Sequence, residues 1–240
     1  MSIQGKTVLI TGSGVRVGRS MALACAQAGA NLIVHYGHSD KEAKEVQAEA
    51  QKLGVEAHLH QADLSQVADC QRLIHEAWKH GPLYALVNSA SIFQGIKLED
   101  TTAENWDLHM AINLRAPMLL SQAFVRKLGA DEGRIVNILD WRALRPGADH
   151  LPYTISKAGL AALTQSLAIA LAPNITVNGM AFGAILPPAD GGDTSGILDD
   201  VPADRWADLE EVNQTLRFFL EGPAYITGEI VHVDGGRHLI

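Results

Sequence analysis

The chain has 240 residues, a net charge of −8 and an apolar content of 47%. This length fits one α/β domain, residues 1–240, better than two, and the composition is typical of a soluble globular protein. Basic residues form no run or stripe, so neither nucleic acid nor an anionic membrane surface is an expected partner. Because the N-terminus resembles a strand rather than a signal peptide, and no apolar run approaches the roughly 18 residues that span a bilayer, we expect a cytoplasmic location.

The two cysteines, Cys25 and Cys70, lie far apart in apolar helical patterns. Neither has a second cysteine or a histidine at the spacing of metal ligands. We therefore predict that both are small core residues, and we expect neither a disulfide nor a metal site.

Short apolar runs and helical patterns alternate along the chain. The predicted strands cover residues 7–11, 31–36, 55–61, 83–88, 134–139, 175–180 and 229–233. The first predicted helix follows a Gly-rich turn and ends near residue 28, and the others cover residues 39–53, 65–80, 103–128, 152–171 and 205–220. This alternation predicts a Rossmann fold, with a doubly wound seven-stranded parallel sheet flanked by helices. In such sheets the ligand lies outside the carboxyl ends of the strands, at the switch point of the strand order.

The first strand ends in a Gly-rich turn, Thr11-Gly12-Ser13-Gly14-Val15-Arg16-Val17-Gly18. Glycines allow the backbone to turn tightly beside a pyrophosphate, whose charge then meets a helix N-terminus. The second strand ends without the carboxylate that binds the ribose 2′-hydroxyl of NAD, since no acid precedes Asp40. Arg16 offers a forked cationic donor for a 2′-phosphate, and His38 and Ser39 add donors. We therefore predict NADPH/NADP+ as the cofactor; a solvated helix start is the alternative for Arg16.

Tyr153 and Lys157 are four residues apart on a predicted helix, so both side chains lie on one face. An ammonium near a phenol favours the phenolate and lowers its pKa from about 10 towards the working pH. The phenol is then a usable proton donor during a reduction. An exposed helical Tyr/Lys pair is the alternative interpretation of this spacing.

A set of motifs in fixed order surrounds this pair. The motifs are Thr11-Gly12 with Gly18, Asp63, Asn88-Ser89-Ala90-Ser91, Asn113, Tyr153 with Lys157, Asn178 with Gly183, Ile226-Thr227-Gly228 and Val233-Asp234-Gly235-Gly236. Over essentially the whole chain this set resembles the short-chain dehydrogenase/reductase family, which implies a small-molecule substrate and a homotetramer. By the same likeness, Asn113 holds a water relay to Lys157, and Lys157 binds the nicotinamide ribose. The likeness also implies cofactor contacts from Gly12, Val17, Gly18, Tyr36, Asp63, Leu64, Asn88, Ser89, Ala90, Tyr153 and Gly183.

Two positions depart from the commonest pattern of that family. Arg16 replaces a glycine of the loop, and Asp140 replaces the serine that usually binds a substrate carbonyl. Together they resemble the pteridine reductase and dihydromonapterin reductase branch, which implies that Phe93 stacks on the substrate and that Asp140 and Tyr153 form a proton-relay pair. The implied substrate contacts are Arg16, Ser91, Phe93, Asp140, Tyr153 and Leu186. A structural substitution at Asp140 and ordinary loop packing of Phe93 are the alternatives.

Residues 184–202 lie between the sixth strand and the last helix, where this family places its substrate lid. We expect Leu186-Pro187-Pro188 to form a stiff apolar wall. Trp141, Leu186 and Trp206 are candidate pocket walls, with core or interface packing as the alternative for each. The acidic tract that begins at residue 190 is most simply a solvated face, and it disfavours highly anionic substrates.

Three functions are compatible with these residues. The leading hypothesis is an NADPH-dependent reductase of a dihydropterin or dihydrofolate. The second is a carbonyl or 3-oxoacyl reductase, which Asp140 in place of serine disfavours. The third is a non-catalytic NADPH-binding regulator, which the intact set of Asn113, Tyr153 and Lys157 disfavours.

Overall fold

A computed structural model describes residues 2–187, 191 and 194–240. Within these residues, seven parallel strands form one sheet in the order β3-β2-β1-β4-β5-β6-β7. The strands are β1 (Thr7–Ile10), β2 (Asn31–Tyr36), β3 (Ala57–Gln61), β4 (Leu83–Asn88), β5 (Gly133–Asp140), β6 (Ile175–Phe182) and β7 (Ile230–Val233). The predicted seven-stranded Rossmann fold is therefore confirmed.

Helices cover both faces of this sheet. They are α1 (Arg16–Gln27), α2 (Asp40–Lys52), α3 (Val67–Ala77), α4 (Ala103–Met110), α5 (Ala116–Leu128), α6 (Leu151–Leu171) and α7 (Leu209–Glu221). Val8 and Ile10 point to the face that packs on α1, α2 and α7, whereas Leu9 points to the face of α3, α5 and α6. Because alternate residues of a strand face opposite sides and both sides are covered, β1 is buried along its whole length.

Several element bounds differ from the predicted ones. α7 begins four residues later than predicted, because Asp208 caps it and forms a capping box with Glu211. The third strand also starts two residues later than predicted. The predicted helix over residues 103–128 contains a π-helical turn, Ala111–Arg115, between α4 and α5.

The helix α6 is more apolar than the sequence analysis allowed. By length and composition alone it could cross a membrane, with 21 residues and a mean hydropathy of 1.2 over an 18-residue window, although polar residues such as Thr154 and Lys157 interrupt its apolar runs. Its buried side chains include Tyr153, Ser156 and Lys157, and it packs on β6. A buried face that carries a lysine against a sheet is typical of a core helix.

The two cysteines are buried in α1 and α3, and both thiols are free. Burial raises the pKa of Cys25 to about 12 and that of Cys70 to about 11, so both stay protonated at neutral pH. The prediction of two core residues is confirmed.

The strand order reverses between β1 and β4. From β1 the chain builds β2 and β3 on one side, and it returns to build β4 on the other. A crevice forms outside the carboxyl ends of the strands at such a switch point. The segments that follow β1, β4 and β6 and the end of β5 all contribute residues to one cleft there.

Candidate active site

The loop after β1 requires glycine at three points. Gly12 has a φ of +67°, in the left-handed region that favours glycine. A Cβ on Gly18, in the first turn of α1, would collide with the carbonyl oxygen of Gly12, and a Cβ on Gly14 would lie 2.8 Å from Ser39 Oγ. The backbone is therefore bare where α1 begins, as a pyrophosphate-binding turn requires.

His35, in β2, supports this loop, and the sequence analysis gave it no role. Its Nδ1 accepts a hydrogen bond from the Gly12 N–H at 3.0 Å, and its carbonyl oxygen accepts one from the Ser13 N–H at 3.0 Å. Its Nε2 donates to the Ala62 carbonyl at 3.2 Å, which assigns the ring proton to Nε2. Burial lowers the pKa of His35 to about 4, so the ring is neutral. The signal available in the sequence is a histidine inside an otherwise apolar strand.

Thr11 joins the loop after β1 to the loop after β4. Its Oγ1 accepts hydrogen bonds from the N–H groups of Ser89 at 2.9 Å and Ala90 at 3.0 Å. Asn88 is buried and donates to Asn137 Oδ1 at 2.8 Å, while its own Oδ1 has no partner within the described part of the chain. A buried oxygen without a partner beside this loop fits a hydrogen-bond donor from a bound ligand.

Asp140, Tyr153 and Lys157 meet on one wall of the crevice. The Tyr153 phenol donates a hydrogen bond to Asp140 Oδ2 at 3.1 Å. Lys157 Nζ lies 5.7 Å from the centre of the Tyr153 ring and donates to the Ile138 carbonyl at 2.7 Å. The spacing of four residues places Tyr153 and Lys157 on one face of α6, and β5 ends at Asp140. The structure thus brings together the three side chains that the sequence analysis associates.

The acidity of Tyr153 differs from the predicted one. Burial raises the pKa of Tyr153 well above its usual value, and the Asp140 carboxylate that accepts its hydrogen bond raises it further. The ammonium of Lys157 binds the Ile138 carbonyl and not the phenol. The predicted lowering of the Tyr153 pKa by Lys157 is therefore wrong in this structure, and the phenol retains its proton.

Lys157 is the group of this wall that titrates near neutral pH. Burial lowers the pKa of Lys157 to about 8, and the nearby Asp140 carboxylate offsets part of that effect. The side chain is therefore an ammonium below this pH and an amine above it. The positive charge that Lys157 brings to the site is therefore lost as the pH rises through about 8.

Phe93, in the loop after β4, forms an aromatic wall beside the phenol. Its ring meets Tyr153 edge-on, with centroids 4.7 Å apart and an interplanar angle of 80°. The ring also stacks on His150, with centroids 4.3 Å apart and an angle of 13°. Because Phe93 is 56% exposed, part of its ring is open to a ligand. An exposed aromatic ring beside a proton donor suits a flat heterocycle.

A cleft of about 390 Å³ connects these groups. Its lining residues are Gly12, Val15, Arg16, Val17, Gly18, Ser89, Ala90, Ser91, Phe93, Ile138, Leu139, Asp140, Tyr153, Lys157, Phe182, Gly183, Ile185 and Leu186. The predicted site residues outside this lining are Tyr36, His38, Ser39, Asp63, Leu64, Asn88 and Asn113. Most of them follow β2 or β3, on the β1 side of the switch point, whereas Asp140 and the phenol of Tyr153 lie on the β4 side.

The predicted apolar wall of the lid is placed only in part. Leu186 lines the cleft, whereas Pro188 and the start of the acidic tract lie outside the described residues. The guanidinium groups of Arg142 and Arg237 lie 4.8 Å and 4.7 Å from the centre of the Trp141 ring, and Trp141 is not a lining residue. Trp206 lies near the start of α7, also away from this cleft.

Comparison with known proteins decides the family. The family profile described as Enoyl-(Acyl carrier protein) reductase matches residues 14–238. The chain belongs to the short-chain dehydrogenase/reductase family. Among curated relatives of this reductase, the 3-oxoacyl-(acyl-carrier-protein) reductase FabG of Aquifex aeolicus is 33% identical over 250 residues and covers 98% of each chain.

Solved structures of the family superimpose closely on the reductase. FolM Alternative dihydrofolate reductase 1 from Brucella canis, complexed with NADP, is 33% identical with a TM-score of 0.92, covering 100% of this chain and 97% of that one. A short chain dehydrogenase from Burkholderia cenocepacia in complex with NADP is 33% identical with a TM-score of 0.93, covering 99% of both chains.

Asn113, to which the family likeness gives a water relay, lies in the π-helical turn of the reductase. Its Oδ1 accepts hydrogen bonds from the Ile92 N–H at 2.9 Å and from Ser91 Oγ at 3.1 Å. Its Nδ2 donates to the Ile92 carbonyl and to Ser156 Oγ, both at 3.0 Å. These contacts hold the loop after β4 in place. The water relay from Asn113 to Lys157 stays a prediction.

Arg16, the predicted cationic partner of a 2′-phosphate, contacts the segment after β6. Its Nη2 donates to the Pro187 carbonyl at 2.7 Å, and its side chain lines the cleft. Ser39 lies beside the same loop, since a Cβ on Gly14, two residues before Arg16, would be 2.8 Å from Ser39 Oγ. The joint binding of a 2′-phosphate by Arg16, His38 and Ser39 stays a prediction.

The residues around the first loop fit the NADP that the two solved relatives contain. The turn carries no side chain at Gly18, and Asn88 Oδ1 accepts no hydrogen bond from the described residues. Asp40, the nearest acid after β2, accepts hydrogen bonds from Tyr36 at 2.8 Å and Lys44 at 2.7 Å. Each Asp40 oxygen already accepts one hydrogen bond, which disfavours Asp40 as the partner of a ribose 2′-hydroxyl and so favours the phosphorylated dinucleotide.

Proposed function

We propose that this NADP-dependent short-chain reductase adds a hydride and a proton to a pteridine, either a dihydropterin or a dihydrofolate. The observation that carries the proposal is the 3.1 Å hydrogen bond from Tyr153 to Asp140, at a position where the family usually has serine. The exposed ring of Phe93 beside this pair supports it, because a pteridine is flat and stacks well on an aromatic face. The 33% identity to a relative named alternative dihydrofolate reductase supports the same substrate class.

The reduction needs a hydride at a ring carbon and a proton at the adjacent ring nitrogen. NADPH, when bound, supplies the hydride, and the Tyr153 phenol donates the proton. Because burial and Asp140 hold the Tyr153 pKa high, the phenolate left behind regains a proton readily. Asp140 accepts the hydrogen bond of the phenol, and its side chain is 14% exposed, so it connects the phenolate to the solvent that supplies the returning proton.

Arg16 and Leu186 complete the substrate side of the proposed site. Both line the cleft, and Arg16 is anchored at the Pro187 carbonyl. The guanidinium has further N–H groups that suit the oxygen and nitrogen acceptors of a pterin. We therefore assign Arg16 to the substrate rather than to the ribose phosphate.

The test follows NADPH consumption by the purified protein with three additions: a 7,8-dihydropterin, a 3-oxoacyl thioester, and buffer. The proposal expects turnover with the dihydropterin and at most slow turnover with the thioester. Turnover with the thioester alone would refute the pteridine substrate and leave the reductase activity. No turnover with either, together with tight NADPH binding, would favour a regulator.

A 3-oxoacyl reductase is the second candidate, favoured by the Aquifex aeolicus relative at 98% coverage. In that reaction a serine and a tyrosine both donate hydrogen bonds to the substrate carbonyl, which becomes an oxyanion. Asp140, as a carboxylate, repels such an oxyanion and competes for the Tyr153 proton. This electrostatic conflict ranks the candidate second.

A further inference from the structure

The segment before α6 places an imidazole directly behind the aromatic wall. His150 is the last residue before α6 and has a left-handed φ of +54°. Its ring stacks on Phe93 with centroids 4.3 Å apart, and its Nδ1 binds Asp149 Oδ2 at 2.7 Å. One side chain therefore contacts both the wall of the cleft and a carboxylate.

The contacts of His150 lock the loop that carries Phe93. A Cβ on Gly95 would lie 3.5 Å from His150 Nε2, so the ring lies over the backbone of this loop. The neighbouring Leu151 N–H donates to the Ile96 carbonyl at 2.8 Å, which ties the same loop to α6. His150 stacks on one face of the Phe93 ring and so holds this ring in its edge-type contact with Tyr153.

A second set of contacts leads from His150 to the other member of the donor pair. Asp149 Oδ2 also accepts a hydrogen bond from Arg142 Nη2 at 3.0 Å. The Arg142 backbone N–H donates to Asp140 Oδ1 at 2.9 Å, and its Nη1 lies 3.7 Å from the same oxygen. Asp140 then uses its other oxygen to accept from Tyr153. His150, Asp149, Arg142 and Asp140 thus form a continuous polar chain that ends at the phenol.

We propose that His150 is a positioning residue for the reduction: its ring sets the Phe93 wall against which the substrate stacks, and its hydrogen bond to Asp149 sets the orientation of Asp140. This inference rests on the proposed function, because it assigns the two contacts to substrate binding and to proton donation. His150 does not touch the reacting atoms. Its two contacts are chemically different, so two substitutions separate them.

The variants His150→Phe and His150→Asn each keep one contact. Phenylalanine retains a ring to stack on Phe93 and loses the bond to Asp149, whereas asparagine retains an N–H donor and loses the ring. Asparagine also tolerates the left-handed backbone that His150 adopts. We expect His150→Phe to keep KM for the dihydropterin and lower kcat. We expect His150→Asn to keep kcat and raise KM about 3- to 10-fold, the range of a lost aromatic stack.

His58→Phe is the matched control, because His58 stacks on His80 with centroids 3.7 Å apart near β3, away from the cleft. It is expected to leave KM and kcat unchanged.

A crystal structure of His150→Asn provides a readout that needs no turnover, and the Phe93 ring is expected to leave its 4.7 Å contact with Tyr153. An unmoved Phe93 ring, or equal shifts of KM and kcat in both variants, would overturn the inference. If the wild-type protein does not reduce pteridines, only the proposed function is refuted. The position of the Phe93 ring in the His150→Asn structure still tests whether His150 positions that ring.

Discussion

The Tyr153 phenol donates its proton in a 3.1 Å hydrogen bond to Asp140 Oδ2, and not to a group on its own helix. The two residues come from different elements, α6 and the end of β5, and both line the cleft. The carboxylate raises the Tyr153 pKa, whereas the Lys157 ammonium is held by the Ile138 carbonyl. The acidity of the proton donor is therefore governed by Asp140 and by burial.

Removal of the phenol tests whether Tyr153 is the proton donor. Tyr153→Phe is expected to lower kcat by about 10² to 10⁴, the usual contribution of a positioned general acid. NADPH affinity, measured by titration of the protein fluorescence, is expected to survive. Tyr84→Phe is the control, since the Tyr84 phenol donates to the Leu220 carbonyl at 3.0 Å in the core. Activity near wild type in Tyr153→Phe would require another donor.

The pKa of Lys157 predicts how the rate depends on pH. With this pKa lowered to about 8, the ammonium is present below pH 8 and is lost as the pH rises through that value. Because the ammonium donates a charge-assisted hydrogen bond to the Ile138 carbonyl, two residues before Asp140, and this bond weakens when the charge is lost, kcat is expected to fall above pH 8 with one inflection. Lys157→Arg keeps the charge at all these pH values, so its profile is expected to stay flat in this region. A wild-type profile that rises through this range would contradict the assignment.

The fold and the pair on α6 were predictable because both follow from local periodicity. Seven apolar runs separated by helical patterns specify a parallel sheet, and a spacing of four places Tyr153 and Lys157 on one face. The pKa of Tyr153 was not predictable in the same way. It depends on burial and on the Asp140 carboxylate, while the Ile138 carbonyl, which no motif marks, binds the lysine ammonium.

The residues missed by the sequence analysis lie where no periodicity exists. Arg142, Asp149 and His150 belong to the connection between β5 and α6, which contains a short 3-10 turn at Trp141–Ala143, and only the folded chain brings them behind the donor pair. The start of α7, by contrast, could have been predicted. Asp208 and Glu211 have the spacing of a capping box, which is visible in the sequence.

The first loop is expected to tolerate no side chain at position 18. Gly18→Ala places a Cβ against the Gly12 carbonyl, so the turn must open. We expect a loss of about 1–3 kcal/mol in the free energy of unfolding, measured by denaturant titration, and weaker NADPH binding. Gly37→Ala is the control, because a Cβ there meets no described atom within 4 Å. Equal NADPH affinity in the two variants would contradict the role given to this turn.

Cofactor preference is expected to depend on position 39 rather than on position 16. Ser39→Asp introduces a carboxylate after β2. This carboxylate repels a 2′-phosphate and accepts a hydrogen bond from a 2′-hydroxyl. The ratio of kcat/KM with NADPH to kcat/KM with NADH is therefore expected to fall at least about 10²-fold. Ser39→Asn is the uncharged control. Arg16→Ala is expected to weaken substrate binding, since the guanidinium binds the Pro187 carbonyl on the substrate side of the cleft. It is expected to change kcat/KM for NADPH and for NADH by the same factor. A selective loss of NADPH in Arg16→Ala would show that the guanidinium does reach the phosphate.

The central claim is that Asp140, paired with Tyr153, selects a pteridine. The most direct test compares kcat/KM for a dihydropterin with that for a 3-oxoacyl thioester, in the wild-type protein and in Asp140→Ser. We expect the wild-type protein to favour the dihydropterin and this ratio to fall at least about 10²-fold in the variant, because serine removes the proton relay and restores a carbonyl donor. NADPH affinity is expected to stay the same. A ratio that the substitution leaves unchanged would show that Asp140 does not select the substrate.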